Sequence, residues 1–221
     1  MRKIDQEELA DKIFEAGIVR IGLFKLKMHE NNPAAPLSPF YIGLKMPPKG
    51  NLTKELVIEI GRHMYELSVK KGLIYEYAIG VPNGGSPLAV EFVNASNGAI
   101  DKSKLLFLEK KEKEGKREII SKIHGKYAEG GVALPIEDVV SGANSLVEGI
   151  KAVRDNGLKV ANCVAFVDRE QGGRERLEKL GVRLETVFTI TQLLSIYVEK
   201  GRVSKEKQEE ILKYIKEVKA T

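Results

Sequence analysis

The chain has 221 residues and a formal net charge of +5, with 43% hydrophobic and 30% charged residues. That is the composition of a water-exposed globular protein large enough for one full α/β domain plus a small accessory element. No apolar run approaches the roughly 18 to 20 residues of a membrane helix. The first residues, Met1-Arg2-Lys3-Ile4-Asp5, turn acidic instead of continuing into an apolar leader, so neither a membrane span nor a signal peptide is expected. The single cysteine, Cys163, lies in an apolar run and can form no internal disulfide, which makes the reducing cytoplasm the expected compartment.

In chain order, Asp5 and Glu8 resemble a capping box opening a helix with Leu9, Ile13 and Ala16 on one face and Gly17 at its end. Val19 to Leu26 reads as a strand, and the prolines at 33, 36 and 39 as an irregular loop. Thr53 opens a helix (Leu56, Ile60, Met64, Leu67) that closes at Gly72. Strands are then predicted at Tyr77–Val81, Leu105–Leu108, Val132–Ile136, Val160–Val167 and Leu184–Phe188. Helices are predicted over Leu88–Val93, Ser145–Asn156 and Arg174–Leu180. This alternation predicts a mainly parallel sheet with helices on both faces. Pro135 is awkward there, because proline cannot donate to a central ladder, and it predicts a bulge or an early strand exit. Two more helices, near Gln192–Glu199 and Lys205–Val218, follow the alternating part.

Lys110 to Arg117 is the one dense basic patch, with no aromatic residue inside it to stack on a base. It reads as a solvated loop or as a loop closing over a polyanionic small molecule, and nucleic acid ranks behind both. His29, His63 and His124 lack metal-ligand spacing. Ligands of open α/β sheets bind at the carboxyl ends of the strands, and three of those junctions are unusual. Pro82-Asn83-Gly84-Gly85-Ser86-Pro87 is a glycine turn before a helix, suited to an anion or simply to a tight turn. Glu137-Asp138 places two mutually repelling acids at a strand end, where a hydroxylated, metal-bound or cationic ligand would explain them. The following Ser141-Gly142-Ala143-Asn144-Ser145 supplies hydroxyls, an amide and backbone donors suited to phosphate. In Asp168-Arg169-Glu170-Gln171-Gly172-Gly173, Arg169 could clamp a carboxylate, with Asp168 expected to hold Arg169 in place.

From Glu137 to Gly173 the chain resembles the 5-phosphoribosyl-1-pyrophosphate (PRPP) motif and following strand of orotate phosphoribosyltransferases, particularly the transferase half of the UMP synthases. The resemblance extends in order through Leu23-Phe24-Lys25-Leu26-Lys27, Ser38-Pro39-Phe40-Tyr41-Ile42, Gly80-Val81-Pro82, Ser86-Pro87-Leu88-Ala89, Lys110-Lys111-Glu112 and the two C-terminal helices. It implies a Rossmann-like type I phosphoribosyltransferase fold with a small hood element. Residues 1–50 would form the hood, and 51–221 the core with its two C-terminal helices. It further implies transfer of the phosphoribosyl group of PRPP to orotate, in pyrimidine biosynthesis. Glu137 and Asp138 would hold the ribose hydroxyls, and Ser141, Gly142, Ala143, Asn144 and Ser145 the 5-phosphate. Arg169 would read orotate beside Tyr41. Lys27, Lys110 and Lys111 would lie near pyrophosphate, with Lys113 (or Lys116) and Asp138 as the catalytic groups. Mg2+ would arrive bound to PRPP, and a homodimer would share the charged loop between subunits, with no nucleic acid or membrane partner.

The chain departs from the family pattern where Ser141 replaces a threonine, Ala143 a central glycine and Lys110 an arginine, and where no His or Tyr precedes Gly115. Residues 31–36 form an insertion. An Ala143 forced into a glycine conformation would cost about 1 kcal/mol unless Gly142 shifts the turn. Two competing readings keep the fold: transfer to another base such as uracil or a purine, or a non-enzymatic PRPP- or nucleotide-binding regulator.

Overall fold

The structure, a computed structural model, describes residues 3–26, 29, 33–113 and 116–220, with side chains placed for all of these except 3–5, 113, 116, 117 and 220. In chain order its elements are α1 (Lys3–Glu15), β1 (Val19–Phe24), β2 (Ser38–Ile42), α2 (Lys54–Lys70), β3 (Tyr77–Gly80), α3 (Gly85–Ala95), a 3-10 turn (Lys102–Lys104), β4 (Leu105–Lys113), β5 (Lys116–His124), β6 (Ala133–Val140), α4 (Asn144–Asp155), β7 (Asn162–Asp168), α5 (Gly173–Glu178), β8 (Arg183–Thr189), α6 (Ile190–Glu199) and α7 (Lys205–Ala220). They fall into two compact units, residues 54–189 and residues 2–53 with 190–221.

The first unit is a six-stranded sheet in the order β5-β4-β3-β6-β7-β8, parallel except for the edge strand β5. β3 and β7 read as near-continuous apolar runs because helices cover both of their faces. On one face Leu146, Ile150 and Val153, one stripe of α4 at helical spacing, meet Tyr77, Ile79, Cys163 and Leu184 in a single buried cluster. On the other, α2 packs against α3, β7 and β8, with Ile60, Met64 and Phe92 fully buried. The chain leaves β3 for β4 on one side, then returns to β6 on the opposite side of β3. The ends of β3 and β6 therefore form the topological switch point of the sheet, where neighbouring connections diverge and leave a crevice.

Two expectations change here. The charged segment after Leu108 is no irregular loop: β4 runs on to Lys113 and pairs antiparallel with β5 down to Lys113 opposite Lys116. Its charges alternate on both faces of an exposed ribbon and hide the strand period, while Ile119 and Ile123 of β5 still lean on the core. Pro135 makes neither a bulge nor an exit. It lies inside β6 opposite Ile79 of β3, and the pairing with β7 begins one residue later, at Ile136. A central strand thus accommodates the missing N–H where one ladder has not yet begun.

In the second unit β1 and β2 form an antiparallel pair with Arg20 opposite Tyr41. α1 ends at Gly17, whose φ of +67° favours glycine. The two last helices, expected with the core, belong here. The Tyr197 hydroxyl of α6 donates to the Ala10 carbonyl at 3.1 Å. Arg202 pairs with Asp11 and Glu15 at 2.9 and 2.7 Å, and Tyr214 of α7 packs edge-on against Phe40. No helix among the described residues is long and apolar enough to cross a membrane.

Candidate active site

At the switch point the glycine turn after β3 lies directly against the end of β6. A Cβ on Gly84 would stand 1.9 Å from Asp138 Oδ2, and one on Gly85 would stand 2.0 Å from the Ile136 carbonyl oxygen. Gly84 has an ordinary helical φ of −72°. What the turn requires from glycine is therefore close approach, with no need for a left-handed backbone. From β4, Lys110 Nζ reaches 3.5 Å from both the Pro82 carbonyl oxygen and Ser145 Oγ. One ammonium thus spans the turn after β3 and the start of α4.

The two acids differ in setting. Glu137 is buried at 5% exposure and Asp138 half-buried. Glu137 Oε1 accepts the Asp138 N–H at 3.0 Å, and Asp138 Oδ1 accepts the Val139 N–H at 2.7 Å. Burial first, then the neighbouring Asp138 charge, push the Glu137 carboxyl well above its ordinary range, with Lys110 opposing. A carboxyl raised on folding favours the folded state below its unfolded pKa and loses that contribution as pH rises through the folded one. Glu137→Gln, which keeps an acceptor for the Asp138 amide, is therefore expected to raise the thermal midpoint over wild type at pH 8. The gain should shrink toward zero as pH falls to the ordinary carboxylate range near 4.5. Thermal unfolding of both proteins across that interval checks it, and a constant difference would contradict the assignment.

The small-residue loop follows β6. Ala143 sits in the left-handed region (φ 59°, ψ 24°) as the N-cap of α4. Gly142 is not left-handed and faces open space. The alternative of a turn shifted onto Gly142 is not the one adopted, and the alanine itself bears the strain, about 1–2 kcal/mol. The Gly172-Gly173 pair explains the loop's other side, because a Cβ on Gly173 would stand 2.4 Å from the Ser141 carbonyl oxygen. With no side chain at that point the first turn of α5 rests on the loop. Arg176 then donates to the Gly142 carbonyl at 3.0 Å and to Asn144 Oδ1.

After β7, Arg169 is 4% exposed; its Nε donates to Gln171 Oε1 at 3.1 Å, and its backbone N–H to the Val140 carbonyl at 2.8 Å. Gln171 Nε2 is buried and makes no hydrogen bond. The Asp168 carboxylate accepts from the Glu170 N–H at 2.8 Å and from Arg174 at 3.1–3.2 Å, a partner the sequence reading did not name. Burial raises its pKa, and the Glu170 amide and Arg174 oppose that shift.

Of the residues picked from sequence, Lys110 lies within β4, Glu137 and Asp138 in the second half of β6, Ser141 to Ser145 in the loop after β6 and the start of α4, and Arg169 just past β7. Lys111 points away from Lys110, as alternation along a strand requires. It pairs with Glu109 at 3.3 Å, in a cluster where Lys122, His124 and Lys111 hold that carboxyl down to about 2. The Lys113 backbone closes the β4–β5 register, while its side chain and the whole of Lys27 lie outside the described residues. In the second unit, Tyr41 lies under the Arg20 guanidinium, 4.6 Å from ring centroid to Cζ. Sequence reasoning gave no role to Arg174 and Arg176, and quoted Gln171 without one. The two arginines just past the glycine pair were the available signal.

No protein-family model matches the chain. The orotate phosphoribosyltransferase of Aquifex aeolicus is 34% identical over 163 residues, spanning 72% of this chain and 82% of that protein. The chain belongs to the orotate phosphoribosyltransferase family. Uridine 5'-monophosphate synthase of Bos taurus is 28% identical over 212 residues, covering 95% of this chain. The chain spans only 40% of that relative's length. Among solved structures, the UMP synthase of Leishmania donovani superposes with a TM-score of 0.74 at 25% identity, over 96% of this chain and 42% of that one.

Proposed function

We propose that the chain binds PRPP at the ends of β3, β6 and β7 and transfers its phosphoribosyl group to orotate, giving orotidine 5'-monophosphate and pyrophosphate. The observation that carries this reading is the convergence at the switch point. The Asp138 carboxylate seats on Gly84, and the Lys110 ammonium bridges Pro82 and Ser145. A carboxylate pair for ribose hydroxyls, a helix start with hydroxyl and amide donors for the 5-phosphate, and a lysine for pyrophosphate are the groups that PRPP requires. The adjacent carboxylates are hard oxygen donors that suit Mg2+. The ion would be carried chiefly by PRPP oxygens and would help neutralise the leaving pyrophosphate.

In the reaction the bond from ribose C1 to the pyrophosphate oxygen breaks, a bond from C1 to a ring nitrogen of orotate forms, and that nitrogen gives up its proton. Positive charge develops on the ribose as pyrophosphate departs. Lys110 meets the charge growing on the leaving group, and Asp138 fixes the ribose against it. Arg169 supplies a buried guanidinium for the orotate carboxylate, and Gln171 Nε2, which makes no hydrogen bond of its own, gives a second donor beside it. Lys113 completes the proposed set, and Lys27 and Tyr41 keep only the roles that the family resemblance implies. The reading places the protein in the cytoplasm, in keeping with a lone buried Cys163 whose thiol burial pushes up to about 12. An assay of pyrophosphate release with PRPP, Mg2+ and orotate tests the proposal. Release with uracil or hypoxanthine but not orotate would overturn the base, and no release with any base would overturn the transferase.

The β4–β5 ribbon, with lysines at its tip, suits a homodimer in which one subunit's ribbon completes the other's site. Mixing inactive Asp138→Asn and Lys113→Ala chains is then expected to restore about a quarter of wild-type activity, since half the dimers would be mixed and each would hold one intact site. A monomer at micromolar concentration, or no recovery on mixing, would refute the shared ribbon.

A further inference from the structure

Arg176 is an exposed arginine whose guanidinium is committed to the phosphate loop, and that commitment needs a reason. Its place follows from Gly173, which lets the first turn of α5 lie on Ser141. A residue three positions on then falls on the same side of the helix, over Gly142 and Asn144. Asn144, the first residue of α4, is the one loop residue whose amide can present either a donor or an acceptor edge. An acceptor edge turned to a phosphate would repel it. Arg176 can only donate, so by occupying Asn144 Oδ1 it leaves the Nδ2 edge as the one open to an anion. Its second bond, to the Gly142 carbonyl, holds the peptide just before the strained Ala143.

Resting on the transferase reading above, we propose that Arg176 is a positioning residue for the 5-phosphate of PRPP. It orients the Asn144 amide and pins the left-handed turn, offsetting at long range what the loop loses by carrying Ala143 in place of glycine. Both bonds leave from the same guanidinium nitrogen. Lysine at 176 keeps a charged donor on a shorter stem without the planar fork that fixes its direction, whereas alanine frees the amide and the turn together.

The test is steady-state kinetics of wild type, Arg176→Ala and Arg176→Lys, with ribose 5-phosphate and pyrophosphate as separate competitive inhibitors. Arg176→Ala is expected to raise KM for PRPP about tenfold, the scale of one charge-assisted hydrogen bond, with kcat within about threefold and KM for orotate unchanged. The inhibition constant of ribose 5-phosphate should rise in step while that of pyrophosphate stays within about twofold, and Arg176→Lys should recover part of the loss. Equal weakening of both inhibitors, or none, would overturn the proposal, as would full recovery of PRPP affinity in Arg176→Ala at low temperature. If Arg176→Ala fails to fold, Arg176→Lys carries the same comparison. If wild type releases no pyrophosphate, the transferase reading fails instead. Calorimetry of ribose 5-phosphate on wild type and Arg176→Lys then still decides the role of Arg176.

Discussion

Asp138→Asn is expected to lower kcat/KM for PRPP by at least ~100-fold while leaving the unfolding midpoint within a few degrees of wild type. The carboxylate is half-buried at the switch point, one oxygen engaged by the Val139 N–H and the other against Gly84. Asparagine keeps the shape and one acceptor, so the fold has little to lose. What disappears is the negative charge facing a ribose that turns positive in the transition state. Gly84→Ala attacks the same group from the other side, because a methyl 1.9 Å from Oδ2 forces the carboxylate to swing away. The two substitutions should therefore be strongly non-additive, the double variant being scarcely worse than Asp138→Asn alone. Independent effects would show that Asp138 and the glycine turn serve different parts of the ligand.

The second large effect concerns base choice. Arg169 is buried just past β7, where its planar guanidinium suits bidentate recognition of a carboxylate. Orotate brings a carboxylate that uracil lacks, so wild type is expected to prefer orotate by at least ~100-fold in kcat/KM. Arg169→Ala should erase most of that ratio by lowering orotate turnover, with much less effect on PRPP binding. Comparable wild-type rates with uracil and orotate would remove Arg169 from the role.

Much of this site was legible because its residues stand at strand ends in the chain itself. Apolar runs stop at Val81, Ile136 and Val167, and chemistry-bearing residues follow at once. The parallel core was legible for the same reason, since buried strands and one-faced helices carry distinct periods. The rest of the ribbon beyond Leu108 was not, because an exposed edge of alternating charges has no apolar period to read. Pairings across more than thirty residues, such as Lys110 with Ser145 or Arg176 with Gly142, leave no local trace either. The sequence left open whether Gly142 would relieve Ala143, because glycine tolerates that geometry without being drawn to it. Here the register of α4 fixes the left-handed position at residue 143.

The second unit is assembled from the two ends of the chain, and this bears on its synthesis. Leu9, Ile13 and Phe40 are buried in a unit whose remaining helices begin only at Ile190. At ribosomal speed, the interval between emergence of the first part and arrival of the second is roughly ten to thirty seconds. During that wait the sheet unit can complete itself, while an apolar hairpin and helix stay uncovered and open to chaperones or to a neighbouring nascent chain. Stop codons or frameshifts after residue 189 should consequently be damaging in the cell through aggregation of a chain whose sheet unit is already formed.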